Sequence, residues 1–203
     1  MWRKKLYLIV FLFWAGSSYA SGFIDVKSPD GTVALTVVHE ENFKLYYKIF
    51  YKGKEATGYS GMAIKLQSPA VVLDQFDFSG IDSTVINETW KPVWGEVNVI
   101  RNNYRQLVIK LADRSGSGIV LQIIFRVFND GVGFRYVFPQ QKKLNHFIVA
   151  DELTQFRMTG DHKTFWIPGD YDTNEFMYNT TKLSEVDASS SAMSQEIYAK
   201  TFF

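Results

Sequence analysis

The chain has 203 residues, of which 46% are hydrophobic and 16% aromatic. That length and composition allow one domain with a sizeable buried core and exclude an intrinsically disordered chain. There is no cysteine, which excludes disulfides, thiolate metal sites, cysteine nucleophiles and a lipid anchor on cysteine. The formal net charge is +1, so the chain lacks the strongly basic character of nucleic-acid-binding domains, and we exclude that class of partner.

Residues 1–20 have the layout of a secretory signal peptide. Arg3, Lys4 and Lys5 precede an apolar run from residue 6 to residue 15, and small residues end the segment at Ala20. The run is shorter than the roughly 20 apolar residues of a membrane-spanning helix. We therefore predict cleavage after Ala20, export, and a mature form outside the membrane. An uncleaved anchor is the alternative interpretation. The mature chain would have 19 basic and 21 acidic residues, a formal charge of −2.

Apolar and polar residues alternate with a period of two through most of the remaining chain, which is typical of β-strands with one buried face. Turn signals separate the alternating runs, among them Lys52-Gly53-Lys54 and Asn129-Asp130-Gly131. No amphipathic helix of three or more turns is evident. The pattern predicts an all-β fold, a large two-sheet β-sandwich. The alternating runs, in chain order, lie at residues 33–37, 43–51, 62–66, 107–111, 119–127 and 132–138.

The segment Trp166 to Glu175 concentrates residues suited to a binding site. It holds three carboxylates and two aromatic rings around the turn signal Pro168-Gly169. Carboxylate oxygens on a loop suit calcium, and aromatic faces beside polar groups suit a sugar. The alternative is a solvated acidic loop after a core strand. The carboxylates are Asp170, Asp172 and Glu175, and the rings are Trp166 and Tyr171.

Three segments resemble motifs of the amino-terminal domain of glycoside hydrolase family 97, in the same order along the chain. This family comprises exported bacterial α-glucosidases and α-galactosidases of the starch-utilisation type. The resemblance runs from about Ser28 to Glu185 and departs from the family pattern at Asn103 and Arg105. The three segments are 88–102 (Glu88 to Glu96, then Ile100-Arg101-Asn102), 125–141 and 166–175 with its continuation Leu183-Ser184-Glu185.

The resemblance implies a mutarotase-like sandwich over residues 21–203, followed by a (β/α)8 catalytic barrel. Neither the end of such a sandwich nor the barrel is found in the sequence, so we expect a domain truncated at its carboxy-terminal end. Glycoside hydrolysis normally uses two carboxyl groups beside the scissile bond, and the resemblance implies that both lie on the barrel. We therefore assign no catalytic residue and predict that the chain alone is inactive.

The resemblance implies one metal ligand, Glu175. In the α-glucosidase members the matching glutamate supplies one oxygen to an active-site calcium, whose other ligands are barrel carboxylates. Calcium takes about 6–8 oxygen ligands, so we expect weak or no binding by this chain alone. The implied setting is periplasmic and the implied substrate an α-linked oligosaccharide, with α-glucosidase favoured over α-galactosidase. Substrate-binding residues stay unassigned. The alternatives are a stand-alone carbohydrate-binding module and an inactive structural domain.

Other polar and aromatic residues have structural explanations. The three histidines, His39, His146 and His162, lack the short spacing of a zinc site. Trp166 is expected in the core, and Trp90 and Trp94 are expected to pack a loop against a sheet.

Overall fold

The computed structural model describes residues 22–167 and 177–187. In this part of the chain the regular structure consists of β-strands and one turn of 3-10 helix at Leu183–Glu185, and it contains no helix long and apolar enough to span a bilayer. The strands are β1 (Gly22–Lys27), β2 (Val33–His39), β3 (Leu45–Tyr51), β4 (Lys54–Met62), β5 (Ile64–Ser68), β6 (Val71–Leu73), β7 (Phe76–Trp90), β8 (Ile100–Asp113), β9 (Val120–Phe128), β10 (Val132–Val137), β11 (Ile148–Glu152), β12 (Lys163–Trp166) and β13 (Asn179–Lys182).

Two antiparallel four-stranded sheets form the body of the domain. The first has the strand order β1-β2-β3-β4 and the second β10-β9-β8-β7. They pack face to face, with β2 against β9 and β1 against β8. A three-stranded sheet, β11-β5-β6, and the two-stranded β12-β13 hairpin complete the described fold. The predicted all-β sandwich is confirmed.

The core lies between the two larger sheets, and the period-two pattern explains it. Along β9 the side chains of Leu121, Ile123, Phe125 and Val127 are at most 1% exposed, while the residues between them face outward. The ring of Tyr47 on β3 crosses the interface to within 6.3 Å of the Phe125 ring, centroid to centroid. Full burial of one such side chain contributes about 1.5–3 kcal/mol, so this layer is the main source of stability.

Two predicted strands differ from the structure. The run 62–66 is divided at Ala63: Met62 ends β4 in the first sheet and Ile64 begins β5 in the three-stranded sheet. Both remain buried because both sheets contribute to one core. Phe43 lies before β3 in a turn, with a φ of 64° and its N–H donating to the Glu40 carbonyl. The hydrophobic pattern could not separate a turn phenylalanine from a strand residue.

The longest strand, β7, was not predicted. It pairs with β8 from Phe76↔Asp113 to Trp90↔Ile100 and forms an edge of the second sheet. Only Phe76 of its fifteen residues is buried, and large apolar residues such as Ile81 and Val85 are about half exposed. Because neither face of most of this strand contacts the core, its sequence lacks the alternation that marks a half-buried strand.

Candidate functional site

The β12–β13 hairpin flanks the segment in which the sequence places the metal and sugar site. Its strands pair from Lys163↔Lys182 to Trp166↔Asn179. Residues 168–176 connect the two strands and lie outside the described residues. Asp170, Tyr171, Asp172 and Glu175 all fall in that segment, so the calcium-ligand prediction for Glu175 stays a prediction.

An aspartate and a serine fasten the base of the hairpin. Asp161 precedes β12, and its Oδ1 accepts a hydrogen bond from the backbone N–H of Ser184 at 2.8 Å. Its Oδ2 accepts from the Ser184 hydroxyl at 2.9 Å. These bonds, the backbone one first, hold the pKa of the Asp161 carboxyl below its ordinary value. A backbone bond from Leu183 N to His162 O runs beside them at 2.9 Å. These three bonds therefore join the two strands at the end of the hairpin opposite segment 168–176.

The turn of 3-10 helix after β13 is held by its last residue. The Glu185 carboxylate accepts a hydrogen bond from the backbone N–H of Lys182 at 2.9 Å, which is the glutamate half of a capping box. Ser184 and Glu185, which the sequence links to the family motif, therefore have structural roles here. Sequence reasoning missed Asp161, because its partner lies 23 positions away and no local pattern joins the two.

Trp166 lies at the loop end of the hairpin, next to segment 168–176. Its ring is partly buried, short of the core burial expected from the sequence, and its Nε1–H donates to Oγ1 of Thr181 at 3.0 Å. A tryptophan on a two-stranded hairpin has only one sheet face to cover it, which explains the partial exposure. Phe165, Met177 and Tyr178 are largely exposed beside it. Apolar rings and a thioether thus surround both ends of segment 168–176.

The other residues considered from the sequence lie elsewhere. The Nε2–H of His39 donates to the Phe76 carbonyl at 2.8 Å, and its ring stacks on Phe78 at 4.5 Å, a packing role. His162 bonds Thr159 at 3.3 Å through its ring nitrogen. In the ranges 22–167 and 177–187, no three side chains of histidine, cysteine, aspartate or glutamate come together as a metal site.

The prediction for Trp90 and Trp94 was wrong. Neither packs a loop against a sheet: Trp90 is about half exposed and Trp94 almost fully exposed. The cause is the length of the β7–β8 hairpin, which continues beyond the last β8–β9 pair, Tyr104↔Phe128. The two tryptophans lie on the part of the hairpin that no third strand supports.

An open cavity of ≈ 450 Å³ lies at the end of β2, away from the hairpin. Two aromatic rings, Phe23 and Tyr59, line it together with the carboxylates of Glu40 and Glu41 and the amide of Asn42. The Asn42 Nδ2 donates to Glu40 at 3.3 Å, and its Oδ1 accepts from the Lys44 N–H at 2.9 Å. No pattern in the sequence indicated this cavity, because its residues come from three separate segments.

Comparison with known proteins identifies the family. The family model described as "Glycosyl-hydrolase 97 N-terminal" matches residues 26–201. A glycoside hydrolase family 97 enzyme from Pseudoalteromonas sp. strain K8 in complex with panose is 27% identical, with a TM-score of 0.72, and the match covers 80% of this chain and 25% of that one. The acarbose complex gives 27% identity and a TM-score of 0.71, covering 78% and 24%.

A crystal structure of a beta-arabinopyranosidase is also similar, at 25% identity and a TM-score of 0.66, covering 73% of this chain and 23% of that one. The chain therefore spans about a quarter of the length of these solved structures. The shared sandwich and the match over most of the sequence lead to one conclusion: the chain belongs to the family of amino-terminal domains of family 97 glycoside hydrolases.

Proposed function

We propose that this chain is the non-catalytic amino-terminal domain of a calcium-dependent, exo-acting α-glycosidase, and that it supplies one calcium ligand and one wall of the active site. The observation that carries the proposal is the family match over residues 26–201 in a chain that spans a quarter of the solved enzymes. The carboxylate pair that cleaves the glycosidic bond would lie in the remaining three quarters, the expected (β/α)8 barrel.

The chemistry of segment 168–176 suits the metal. Its three carboxylates offer hard oxygen donors, which calcium prefers. Glu175 would be the ligand, and the bound ion would polarise the substrate and orient carboxylates around it. The Trp166↔Asn179 pair and the bond from Trp166 to Thr181 support the assignment, since they hold the strand ends from which this segment leaves the hairpin. The Asp161–Ser184 bonds hold the opposite end. A ligand shared between domains needs such a fixed origin.

The substrate class follows from the relatives. Solved family 97 enzymes are in complex with panose and with acarbose, so we propose an α-linked oligosaccharide for this protein. The exposed rings of Phe165 and Tyr178 would contact it from the side of the sandwich. α-Glucosidase is favoured over α-galactosidase because Glu175 matches the glutamate of the α-glucosidase motif. The basic and apolar layout of residues 1–20 supports a periplasmic location.

The test compares this chain with a hybrid enzyme, in which the chain replaces the matching quarter of the Pseudoalteromonas enzyme. Hydrolysis of nitrophenyl α-glucoside and α-galactoside is measured with and without calcium. We expect no turnover by the chain alone and calcium-dependent turnover of the glucoside by the hybrid. Turnover by the chain alone would refute the non-catalytic assignment, and a folded but inactive hybrid would refute the supporting role.

A second candidate function is carbohydrate binding without catalysis, which the cavity near β2 favours. Phe23 and Tyr59 provide apolar faces and Glu40, Glu41 and Asn42 provide hydrogen-bonding groups, the combination that binds small polar ligands. Titration of the chain with maltotriose tests it. Saturable binding that Phe23→Ala abolishes and Tyr51→Ala, at another exposed aromatic position, leaves unchanged would support a binding module.

A further inference from the structure

We infer that the tip of the β7–β8 hairpin, residues 90–100, is a docking surface, and that its partner is the catalytic part of a family 97 glycosidase. The inference rests on the proposed function and names the surface through which the domain would act. It concerns a part of the chain distant in sequence from segment 168–176.

The hairpin extends beyond the sheet that supports it. The last pair between β8 and β9 is Tyr104↔Phe128, and the Tyr104 and Phe128 rings pack at 4.8 Å. β7 and β8 continue past this point for four more pairs, from Asn87↔Asn103 to Trp90↔Ile100. At about 3.4 Å per residue this ribbon projects about 14 Å from the edge of the supported sheet. Isolated two-stranded ribbons are marginal in water, so a partner would stabilise this one.

The tip presents apolar side chains to solvent. Five large apolar residues lie within ten positions, and none of them is buried by another described element. Their exposed fractions are Trp90 48%, Val93 99%, Trp94 88%, Val97 56% and Val99 51%. Soluble proteins rarely expose apolar residues in such a cluster unless it is an interaction site. Tryptophan in particular dominates binding energy at protein interfaces.

Charged residues of both signs surround this apolar surface. Glu88, Lys91, Glu96 and Arg101 are all exposed. Cross-strand bonds hold two of them in place, from Arg101 Nε to Asn87 Oδ1 at 3.0 Å and from Asn102 Nδ2 to Glu88 Oε1 at 3.3 Å. An apolar centre with a polar rim is the usual composition of a protein–protein interface. Three valines beside the tryptophans favour a protein over a sugar, which would stack on flat aromatic faces.

The lengths of the relatives indicate which protein this is. The match covers about a quarter of each solved family 97 enzyme, so the rest of that enzyme is about three times as long as the matching part. In such an enzyme the sandwich is covalently joined to the catalytic part. The apolar tip would then be covered by that part and would not lower the solubility of the protein. A second copy of this chain would have to bind the tip without the high local concentration that a covalent link provides, which favours the catalytic part as the partner.

The experiment measures hydroxyl-radical labelling of the Trp94 ring in the isolated chain and in the hybrid enzyme, with Tyr51 as the exposed reference ring. We expect labelling of Trp94 to fall several-fold in the hybrid while Tyr51 is unchanged. Amide exchange of β8 and β9 shows that the sandwich is folded in both. If the hybrid does not fold, the same labelling is done on the chain mixed with the separately expressed catalytic part of the Pseudoalteromonas enzyme.

Paired substitutions add a second readout. Val93→Thr with Trp94→Ser should weaken association with the catalytic part in trans by about tenfold or more, as removal of an interface hot spot does. Tyr51→Ser with Val72→Thr, at exposed positions outside the tip, is the matched control and should leave it unchanged.

Four results would overturn the inference: equal Trp94 labelling in a folded hybrid, equal affinity in both paired variants, protection of Trp94 by self-association of the chain, or protection by maltotriose. The last two would assign the tip to a second copy or to a sugar. Activity is scored separately. If the tip is protected in a folded but inactive hybrid, the proposed function is refuted and the docking surface is supported. If the hybrid is active and its tip stays exposed, the docking surface is refuted and the proposed function is supported.

Discussion

Asp161 and Ser184 are joined by two hydrogen bonds across 23 positions of the chain, at 2.8 and 2.9 Å, and close the base of the β12–β13 hairpin. Asp161→Ala removes both acceptors. We expect faster amide exchange in β12 and β13 and unchanged exchange in β9, because β9 belongs to a different sheet. Asp161→Asn keeps one acceptor oxygen, so the exchange rate of its hairpin amides should lie between those of the wild type and Asp161→Ala. Equal exchange in all three proteins would show that the bonds do not hold the hairpin.

The Asp161 carboxyl predicts that the stability of the β12–β13 hairpin depends on pH. Its pKa is lowered in the folded chain from the ordinary 3.8, mainly by the backbone hydrogen bond from Ser184. A lowered pKa stabilises the folded state above the unfolded value, and this stabilisation is lost as pH falls through the folded pKa. Protection factors of the hairpin amides, which correct each rate for the intrinsic pH dependence of exchange, should therefore be constant at neutral pH and fall below about pH 4. In Asp161→Ala this fall should be weaker.

The interface between the two large sheets predicts a large loss of stability on truncation of Phe125. This ring is fully buried and packs at 6.3 Å from the Tyr47 ring and 5.8 Å from Phe134. Phe125→Ala should lower the free energy of unfolding by about 3–5 kcal/mol. The same substitution at Phe165, which is 64% exposed, should change it by less than about 0.5 kcal/mol. Urea denaturation distinguishes the two, and equal effects would contradict the packing.

Tyr136 predicts a decline of stability at alkaline pH. Its hydroxyl bonds Thr154 Oγ1 at 2.7 Å, and burial raises its pKa well above the ordinary 10.0. The phenol therefore stays neutral in the folded chain while the unfolded chain ionises it, so stability falls as pH rises above about 10. Tyr136→Phe should make that decline shallower in urea midpoints measured from pH 8 to 11. A wild-type slope in this variant would show that the phenol ionises as easily when folded.

The turn between β3 and β4 requires a left-handed backbone. Lys52 and Gly53 have φ values of 49° and 74°, and no atom lies near the position that a Cβ would take at Gly53. Gly53→Ala should therefore cost only backbone strain, about 1–2 kcal/mol. Gly131→Ala, which also has open space but no left-handed φ, is the control and should be close to neutral. Thermal unfolding compares them, and equal shifts in Tm would contradict the turn geometry.

The sequence predicted strands with a regular apolar face in the core, such as β2 and β9, and missed β7, most of which contacts water on both faces. β9 alternates along its length, and β8 does so from Leu107 to Leu111, because every second side chain there enters the core. β7 has no such constraint beyond Phe76 and gives no pattern. The break at Ala63 was missed for a different reason: it carries neither proline nor glycine, and the buried residues on either side continue the same alternation.

The candidate site was predictable as a motif and not as a geometry. The residue types from Trp166 to Glu175 indicate oxygen ligands and aromatic contacts, but the groups that anchor this segment lie outside it. Asp161 reaches Ser184, and Trp166 reaches Thr181, through pairings that only the folded hairpin brings together. The exposure of Trp94 was unpredictable for a related reason, since it depends on where β9 ends relative to β8.

The most direct test of the account is the calcium dependence of α-glucoside hydrolysis by the hybrid enzyme with Glu175→Gln. An amide oxygen is a weaker calcium ligand than a carboxylate, so the variant should need about tenfold more calcium, or more, for half-maximal turnover. Glu55→Gln, at an exposed position on β4 outside the β12–β13 hairpin, should behave as the unsubstituted hybrid. An unchanged calcium dependence in Glu175→Gln would contradict the claim that this sandwich supplies a ligand to the catalytic metal.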